Sequence, residues 1–339
     1  MKPIIVSLHD KTPRAVEYLW PGRVAVGKLT LFAGDPGTGK SFVAYDIAAR
    51  VSTRTPWPDG TENPGGDVLI LSAEDAVEDT ILPRLLAAKA NLKRIRVMQA
   101  VEVDEGAAMF SLETDIPALE RALDDYPDTR LITIDPLTAY TGSIDSHKNA
   151  EVRGLLAPLA DLADARNVAI LCITHLNKSS GSSPNYRIIG SLAFSAATRA
   201  VWAIGKDKED ESRRIMTQVK NNLSADPGAL AYRIIESDQY PGMGVVSWES
   251  GPVVMSAEDL LSNDRPKKAK LSAAGEWLLD ILKDGPVQSD TIFRLAEDCG
   301  FRDRTVWRAK SAINGSPGGP KIATRKSGFG GPWEWYLEG

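Results

Sequence analysis

The chain has 339 residues, two cysteines and a formal net charge of −5. This length predicts two domains, and so few cysteines exclude a disulfide framework and a Cys/His zinc cluster and favour a reducing cytoplasm. No apolar run approaches the length of a membrane-spanning helix, and the first residues do not form a signal peptide, so we expect a cytoplasmic protein with no membrane partner.

Residues 1–28 are predicted to be an N-terminal segment with a few apolar anchors. From residue 29 to 262, β-branched apolar runs alternate with helical patterns, which predicts an α/β fold with a doubly wound, mostly parallel sheet. The strand candidates are Leu29–Ala33, Val68–Ser72, Ile95–Ala100, Leu131–Ile134, Val168–Thr174, Ala200–Ile204 and Ile215–Val219. The helix candidates between them include Thr80–Ala90, Ile116–Asp125 and Glu151–Asp164.

The first strand runs directly into a phosphate-loop pattern, G-x-x-x-x-G-K-[ST], followed by a helical pattern that starts at Phe42. The residues of the pattern are Gly34, Asp35, Pro36, Gly37, Thr38, Gly39, Lys40 and Ser41. Backbone N–H groups of such a loop bind phosphate oxygens at the positive end of the helix. Lys40 is expected to reach the β- and γ-phosphates and Ser41 to hold Mg²⁺, so the cofactors predicted are ATP and Mg²⁺.

Three further strand candidates end in residues suited to the same chemistry. Asp135 is expected beside the Mg²⁺ site, and Glu74 is the candidate base that polarises the attacking water. His175 follows the strand Val168–Thr174 at a position suited to sensing the γ-phosphate. The alternatives are an ordinary turn at Asp135, a surface charge at Glu74 and a structural histidine at His175. The Ser/Gly-rich stretch from Lys178 to Arg187 is either a loop that grips a nucleic-acid strand or a plain connection.

Residues 263–270 are polar and charged and are predicted to be a linker to a domain at 271–339. From 265 to 339 there are 13 Lys and Arg against 9 Asp and Glu, a net of +4, whereas the rest of the chain has 27 against 36, a net of −9. Three short helical patterns and a hairpin predict a winged helix, whose third helix enters the major groove. The candidate phosphate contacts are Arg302, Arg304, Arg308, Lys310, Arg325 and Lys326. Trp307, Trp333 and Trp335 are expected in its core.

The motifs ending at Ser41, Glu74, Asp135 and His175 occur in an order that resembles the RecA-like ATPases, in particular the RepA-like and DnaB-type hexameric helicases of phages and mobile elements. The resemblance covers about residues 15–240. It implies catalytic roles for Lys40, Glu74, Asp135 and His175.

The resemblance also implies roles for three further basic residues. Arg84 matches an arginine near the phosphates, and Arg199 has the spacing of an arginine finger that is lent to a neighbouring subunit. Lys220 matches the lysine of a Lys-x-Arg motif, but Asn222 stands where that motif has arginine. The alternative for each of the three is a surface salt bridge.

The resemblance implies an ATP-dependent DNA helicase or translocase that forms a ring around single-stranded DNA. The expected ring is a hexamer. Duplex DNA or a replication protein such as a primase or initiator is expected at the winged helix. Two alternatives remain open: a RadA/RecA-like factor, or an origin-binding regulatory ATPase, in which hydrolysis controls DNA binding and assembly without unwinding.

Overall fold

The computed structural model describes residues 6–103, 106–144, 148–176, 192–251, 253–262, 268–315, 320–327 and 331–338. The chain divides into two compact units, Met1–Ser262 and Asn263–Gly339. Each unit has its own hydrophobic core and is described separately.

The first unit combines strands and helices in alternation. Its strands are β1 (Tyr18–Trp20), β2 (Val24–Ala25), β3 (Leu29–Gly34), β4 (Asp67–Ser72), β5 (Ile95–Val97), β6 (Val101–Val103), β7 (Gly106–Ala108), β8 (Thr129–Asp135), β9 (Ala169–His175), β10 (Ala200–Lys206), β11 (Arg213–Asn221), β12 (Leu230–Glu236) and β13 (Gly244–Trp248). Its helices are α1 (Lys40–Thr53), α2 (Leu82–Ala87), α3 (Ile116–Asp125), α4 (Asn149–Arg166), α5 (Leu192–Ala197) and α6 (Ala257–Leu261).

Within the described residues, the main sheet has nine strands in the order β13-β12-β11-β10-β3-β9-β8-β4-β5. The pairs from β10 to β5 are parallel, whereas β10 to β13 pair antiparallel. The predicted α/β fold with a mostly parallel sheet is therefore confirmed. The antiparallel side was not anticipated: Ile215–Val219 was predicted as a strand, but its direction was not, and β12 and β13 were not predicted at all.

Both faces of the parallel strands are buried, as their continuous apolar sequences require. Neighbouring residues of β3 illustrate this: Phe32 packs with α1 and α2 on one face, and Leu31 packs with α3 and α4 on the other. Because parallel strands all point the same way, their carboxyl ends meet along one edge of the sheet. That edge carries the loop between β3 and α1.

Two predicted elements of this unit differ from the structure. The helix predicted over Thr80–Ala90 is a π-helical turn, Val77–Ile81, followed by the short helix α2. The strand predicted over Ile95–Ala100 ends at Val97, because Met98 leaves the ladder after one further bond to Ile70.

The second unit contains α7 (Lys268–Leu282), α8 (Ser289–Asp298) and α9 (Asp303–Gly315). Its strands β14 (Val287–Gln288), β15 (Lys321–Lys326) and β16 (Trp333–Glu338) form an antiparallel sheet in the order β14-β16-β15. Helix α7 begins at Lys268, inside the segment 263–270 that was predicted as a linker. The lysines and the alanine at positions 268–270 favour helix.

The core of the second unit contains Leu278, Ile292, Val306 and Trp335. The prediction that all three C-terminal tryptophans lie in this core is correct only for Trp335, which is 1% exposed. Trp307 is 50% exposed and Trp333 is 54% exposed. Trp307 packs against Trp335 and Phe293 at the margin of this core, so only part of its ring is covered.

In the part of the chain that the structure describes, no helix combines the length and the apolar character needed to cross a bilayer.

Candidate functional site

The loop that joins β3 to α1 is shaped by two glycines. A Cβ on Gly34 would lie 2.1 Å from the carbonyl oxygen of Ile204, so only glycine fits beside β10. Gly39 has a φ of +90°, and a Cβ there would lie 2.9 Å from Ile234 Cδ1. The chain can therefore turn tightly into α1 and present its backbone to a phosphate group.

Lys40, the first residue of α1, is buried at this loop. Its Nζ donates to the carbonyl oxygens of Gly34 and Asp35, each at 2.9 Å, and lies 3.2 Å from Nδ1 of His175. Burial lowers the pKa of the ammonium, and the nearby carboxylates, Asp135 foremost, oppose that shift. The ammonium is thus held at the mouth of the loop, where a bound triphosphate would offer stronger anionic acceptors.

His175 is the last residue of β9, and it lies directly beside Gly34 in the parallel ladder. Burial lowers its pKa, and the ammonium of Lys40 acts in the same direction. The ring is therefore neutral at pH 7, and the Nδ1 atom that faces Lys40 must accept. The proton then resides on Nε2, which lies 3.9 Å from Oε1 of Glu74. Lys40, His175 and Glu74 form one continuous line of side chains.

Glu74 follows β4 at the same edge, and its side chain is 63% exposed. Water can therefore reach the carboxylate, as a general base requires. The neighbouring Asp75 does not cap the next helix: its Oδ2 accepts from the hydroxyl of Tyr45 at 2.9 Å and from Nη1 of Arg84 at 2.8 Å.

Asp135 ends β8 beside Ser72 and is buried. The hydroxyl of Ser41 hydrogen-bonds its carboxyl group. Burial raises the pKa of Asp135 to about 6, the hydrogen bond from Ser41 opposes this, and the charges of Asp75 and Glu74 add to it. A hydroxyl and a carboxylate in contact are oxygen ligands of the kind that Mg²⁺ prefers. The residues present thus fit a magnesium ion, which Ser41 and Asp135 would hold.

Phe42 and Arg84 lie together next to the loop. The Arg84 guanidinium lies 4.6 Å from the centre of the Phe42 ring and is anchored by the ion pair with Asp75. Arg84 therefore forms a salt bridge, which was the alternative prediction for this residue. It also lies beside the start of α1, near the phosphate loop. A salt bridge to Asp75 and a position near the phosphates are therefore compatible for Arg84.

Arg199 and Lys220 are not brought to this site. The backbone N–H of Arg199 donates to Leu29 O at the amino end of β3, five strand residues or about 16 Å from the loop. Lys220 donates to the carbonyl oxygens of Ser195 and Thr198, each at 2.9 Å, near the same end. Neither side chain is brought to the phosphate loop.

The nucleic-acid candidates divide into two groups. Lys178 and Arg187 lie outside the described residues. The others belong to the second unit, where Arg302, Arg304, Arg308, Arg325 and Lys326 are exposed and Lys310 is half-buried. Arg325 pairs with Glu334 across the β15–β16 hairpin at 3.7 Å.

Sequence reasoning missed the residues that support the loop from behind. The hydroxyl of Tyr232, on β12, donates to the carbonyl of Thr38 at 3.1 Å. Ile234 of the same strand and Arg214 of β11 pack against Gly39. No motif marks these positions, because they reach the loop only through the antiparallel side of the sheet. Burial in Leu230–Glu236 does not alternate, since its first three residues are buried and its last two are exposed, so no strand periodicity reveals it in the sequence.

Comparison with known proteins agrees with this geometry. Residues 2–181, more than half of the chain, match the family model described as AAA domain. The DNA repair protein RadA of Halalkalibacterium halodurans is 27% identical over 172 residues, and that of Listeria monocytogenes is 24% identical over 184 residues. These matches cover 50% and 51% of this chain but only 32% and 35% of the relatives, so the chain aligns with about a third of their length. On the family match and the phosphate-loop geometry together, the chain belongs to the AAA domain family of RecA-like P-loop ATPases.

Proposed function

We propose that this protein is an ATP-driven DNA motor, a helicase or translocase whose subunits form a ring and which serves replication of a phage, plasmid or integrated element. The observation that carries the proposal is the line from Lys40 through His175 to Glu74. It connects the group that binds the γ-phosphate with the candidate base and with the end of β9. A change at the nucleotide therefore has a direct path to the chain that follows β9.

ATP and Mg²⁺ are the cofactors that suit the site. Ser41 and Asp135 would hold the metal ion, which supplies neutralisation of phosphate charge when bound. Lys40 would exchange its bonds to Gly34 and Asp35 for phosphate oxygens. Glu74, exposed to water, would orient and deprotonate the attacking water, and His175 would report the loss of the γ-phosphate through its contact with Lys40.

An oligomeric site is supported by the position of Arg199. Its side chain is exposed, and it lies about 16 Å from the loop of its own subunit, so it can act on phosphates only in a neighbour. Burial lowers the pKa of Lys220, and the charges of Arg199 and Arg153 lower it further, so three cations lie near one another here. A subunit that offers cations at one surface and a phosphate loop at another is suited to head-to-tail association, which closes into a ring. The proposal of six subunits rests only on the sequence resemblance to hexameric helicases.

The second unit is proposed to be a winged helix. Its order of three helices followed by the β15–β16 hairpin, with β14 added to β16, supports this. Helix α9 would then contact duplex DNA, with Arg304 and Arg308 exposed on it and Arg302 just before it. A primase or an initiator protein is the alternative partner for this unit.

A second candidate function is that of a RadA-like DNA repair ATPase. The similarity of about half the chain to proteins named DNA repair protein RadA favours it. In this case ATP turnover would control the assembly of protein on DNA, and strand separation would not be required.

The decisive experiment measures ATP hydrolysis by protein of known oligomeric state with single-stranded DNA, duplex DNA, RNA or no nucleic acid, in parallel with a strand-displacement assay. The motor proposal expects stimulation by single-stranded DNA together with displacement. Stimulation without displacement would support the repair function instead, and stimulation by duplex alone would support an origin-binding regulator. The Lys40→Ala variant should hydrolyse no ATP; normal turnover would refute the site itself.

The shared site is tested by mixing inactive variants. Lys40→Ala subunits retain Arg199, and Arg199→Ala subunits retain Lys40, so mixed rings contain some complete sites if Arg199 acts on a neighbour. We expect partial recovery of hydrolysis in mixtures and none in either variant alone. Absence of recovery in verified mixed oligomers would contradict the assignment.

A further inference from the structure

Two half-exposed tryptophans flank the buried Trp335 in the second unit. Trp333 and Trp335 are alternate residues of β16, so their side chains lie on the same face about 7 Å apart. The ring of Trp307, on α9, lies 4.8 Å from that of Trp335. Trp307 on α9 and Trp333 on β16 thus both lie near Trp335, and of the three rings only that of Trp335 is buried. We call Trp307, Trp333, Lys310 and Lys326 the aromatic–cationic stripe.

The exposure of these rings is costly for a small unit. An indole carries a large apolar surface, and two half-exposed indoles on a unit of fewer than 80 residues leave much of that surface in water. Trp307 packs on Trp335 and Phe293, yet about half of its surface, like that of Trp333, remains in water. Exposed aromatic surface that packing does not explain indicates a binding site.

Two lysines accompany the exposed rings. Lys310 Nζ lies 4.1 Å from the centre of the Trp335 ring and 5.5 Å from that of Trp307. Lys326, the cross-strand neighbour of Trp333, has its Nζ 5.7 Å from that ring. Arg325 is paired with Glu334 and is not part of this arrangement. Each exposed indole therefore has a cation beside it, and burial lowers the pKa of Lys310.

The combination of exposed indole rings and neighbouring lysines indicates which class of ligand this surface binds. Indole rings stack on any nucleic-acid base, and neighbouring cations bind the phosphates that join successive bases. Within a duplex, the faces of each base are covered by its neighbours, so an external indole cannot stack on them. Phosphate contacts alone would need the lysines but not the tryptophans.

We propose that the aromatic–cationic stripe binds single-stranded nucleic acid, with Trp307 and Trp333 each stacked on an unpaired base and Lys310 and Lys326 on the flanking phosphates. The inference rests on the proposed DNA-binding role of the second unit and deepens it: the ligand at this surface is an unpaired strand. A winged helix of this kind would hold the strand that duplex separation releases.

The test compares binding of fluorescently labelled oligo-dT and of a blunt duplex to full-length protein, by anisotropy at fixed salt without ATP. The variants are Trp307→Ala and Trp333→Ala, and the matched controls are Trp307→Phe and Trp333→Phe, which retain a ring that stacks. We expect each alanine variant to raise the Kd for oligo-dT about tenfold, the phenylalanine variants to do so much less, and the duplex Kd to change by less than about twofold. Thermal unfolding of each variant verifies the fold.

Three results would overturn the inference. Unchanged oligo-dT binding in both alanine variants would show that the tryptophans do not stack. Equal weakening of oligo-dT and duplex binding would show a surface that does not distinguish unpaired strands. Loss in the phenylalanine variants equal to that in the alanine variants would show that stacking is not the cause. All three leave the ATPase proposal standing, whereas absence of any nucleic-acid binding by the wild-type protein would refute the DNA-motor proposal as well.

A second measurement needs no variant and covers the case in which an alanine variant fails to fold. Oligonucleotides that contain 5-iododeoxyuridine cross-link to stacked aromatic side chains under ultraviolet light. Cross-linked peptides from wild-type protein should contain Trp307 or Trp333. Cross-links confined to the first unit would overturn the inference.

Discussion

The hydrogen bond from Tyr232 to the phosphate loop provides a sharp test of how the antiparallel strands support the site. The Tyr232 hydroxyl donates to the carbonyl of Thr38 at 3.1 Å, and both residues are buried. Burial raises the pKa of Tyr232, so the hydroxyl remains a donor throughout the neutral range. The substitution Tyr232→Phe removes this one hydrogen bond and leaves the packing of the ring nearly unchanged.

The size of the effect follows from the burial. An intramolecular hydrogen bond contributes about 0.5–1.5 kcal/mol net, and about 1–3 kcal/mol is lost when the remaining partner is buried without a replacement. We expect Tyr232→Phe to lower the free energy of unfolding by about 1–2 kcal/mol. For a unit of this size that corresponds to a fall in Tm of about 2–8 °C. If the bond also holds the loop ready for phosphate, the Kd for ATP rises by up to about tenfold, which is 1.4 kcal/mol.

The control is Tyr18→Phe, because the Tyr18 hydroxyl is buried without a hydrogen-bond partner among the described residues. That substitution should leave stability unchanged or raise it slightly. The assays are thermal unfolding and titration with a fluorescent ATP analogue, each carried out on both variants. If Tyr232→Phe cannot be distinguished from Tyr18→Phe in either assay, the proposed support of the loop by β12 is refuted.

Two further outcomes are expected. Glu74→Gln should retain ATP binding and lose at least about a hundredfold in turnover, because an amide cannot accept the proton of water. The control is Glu78→Gln, since Glu78 is also exposed but does not contact Lys40 or His175. Equal turnover in the two variants would reject Glu74 as the base. Asp46 is buried, and desolvation raises its pKa despite the hydrogen bonds from Arg50 and Trp248. Its ionisation therefore costs stability, and this cost develops as the pH rises from the unfolded pKa of about 3.9 through the raised folded value. Urea unfolding at a series of pH values should show wild-type stability declining relative to Asp46→Asn over that window, and the opposite trend would contradict the argument.

Local sequence patterns were enough to predict the parallel half of the sheet, in which strands and helices alternate along the chain. The apolar runs of β3, β4, β8 and β9 are continuous, and parallel strands in this topology place their carboxyl ends at one edge. Gly34, Asp135 and His175 could therefore be expected at that edge, and the structure places them there. The contact of His175 with Lys40 could not be foreseen, since it depends on rotamers that only packing decides.

The antiparallel side of the sheet shows where local patterns fail. Strands β12 and β13 are partly exposed, so their sequences resemble those of other surface segments. Strand β12 supports the phosphate loop through the hydrogen bond between Tyr232 and Thr38, which are almost 200 positions apart in the sequence. Nothing in the neighbourhood of either residue encodes that separation.

The sequence by itself determined the phosphate loop, the order of the strand-end acids and the alternation that makes a mostly parallel sheet, because each depends on residues close together in the chain. Only the tertiary structure decided that Arg199 lies at the amino ends of the parallel strands, away from the phosphate loop, and that Tyr232 supports that loop. It also decided that Trp307 and Trp333 remain exposed while Trp335 is buried. The physical reason is the same in each case. Periodicity tells which residues favour burial, but strand pairing and the space left in a finished core decide which of them are buried and which groups meet.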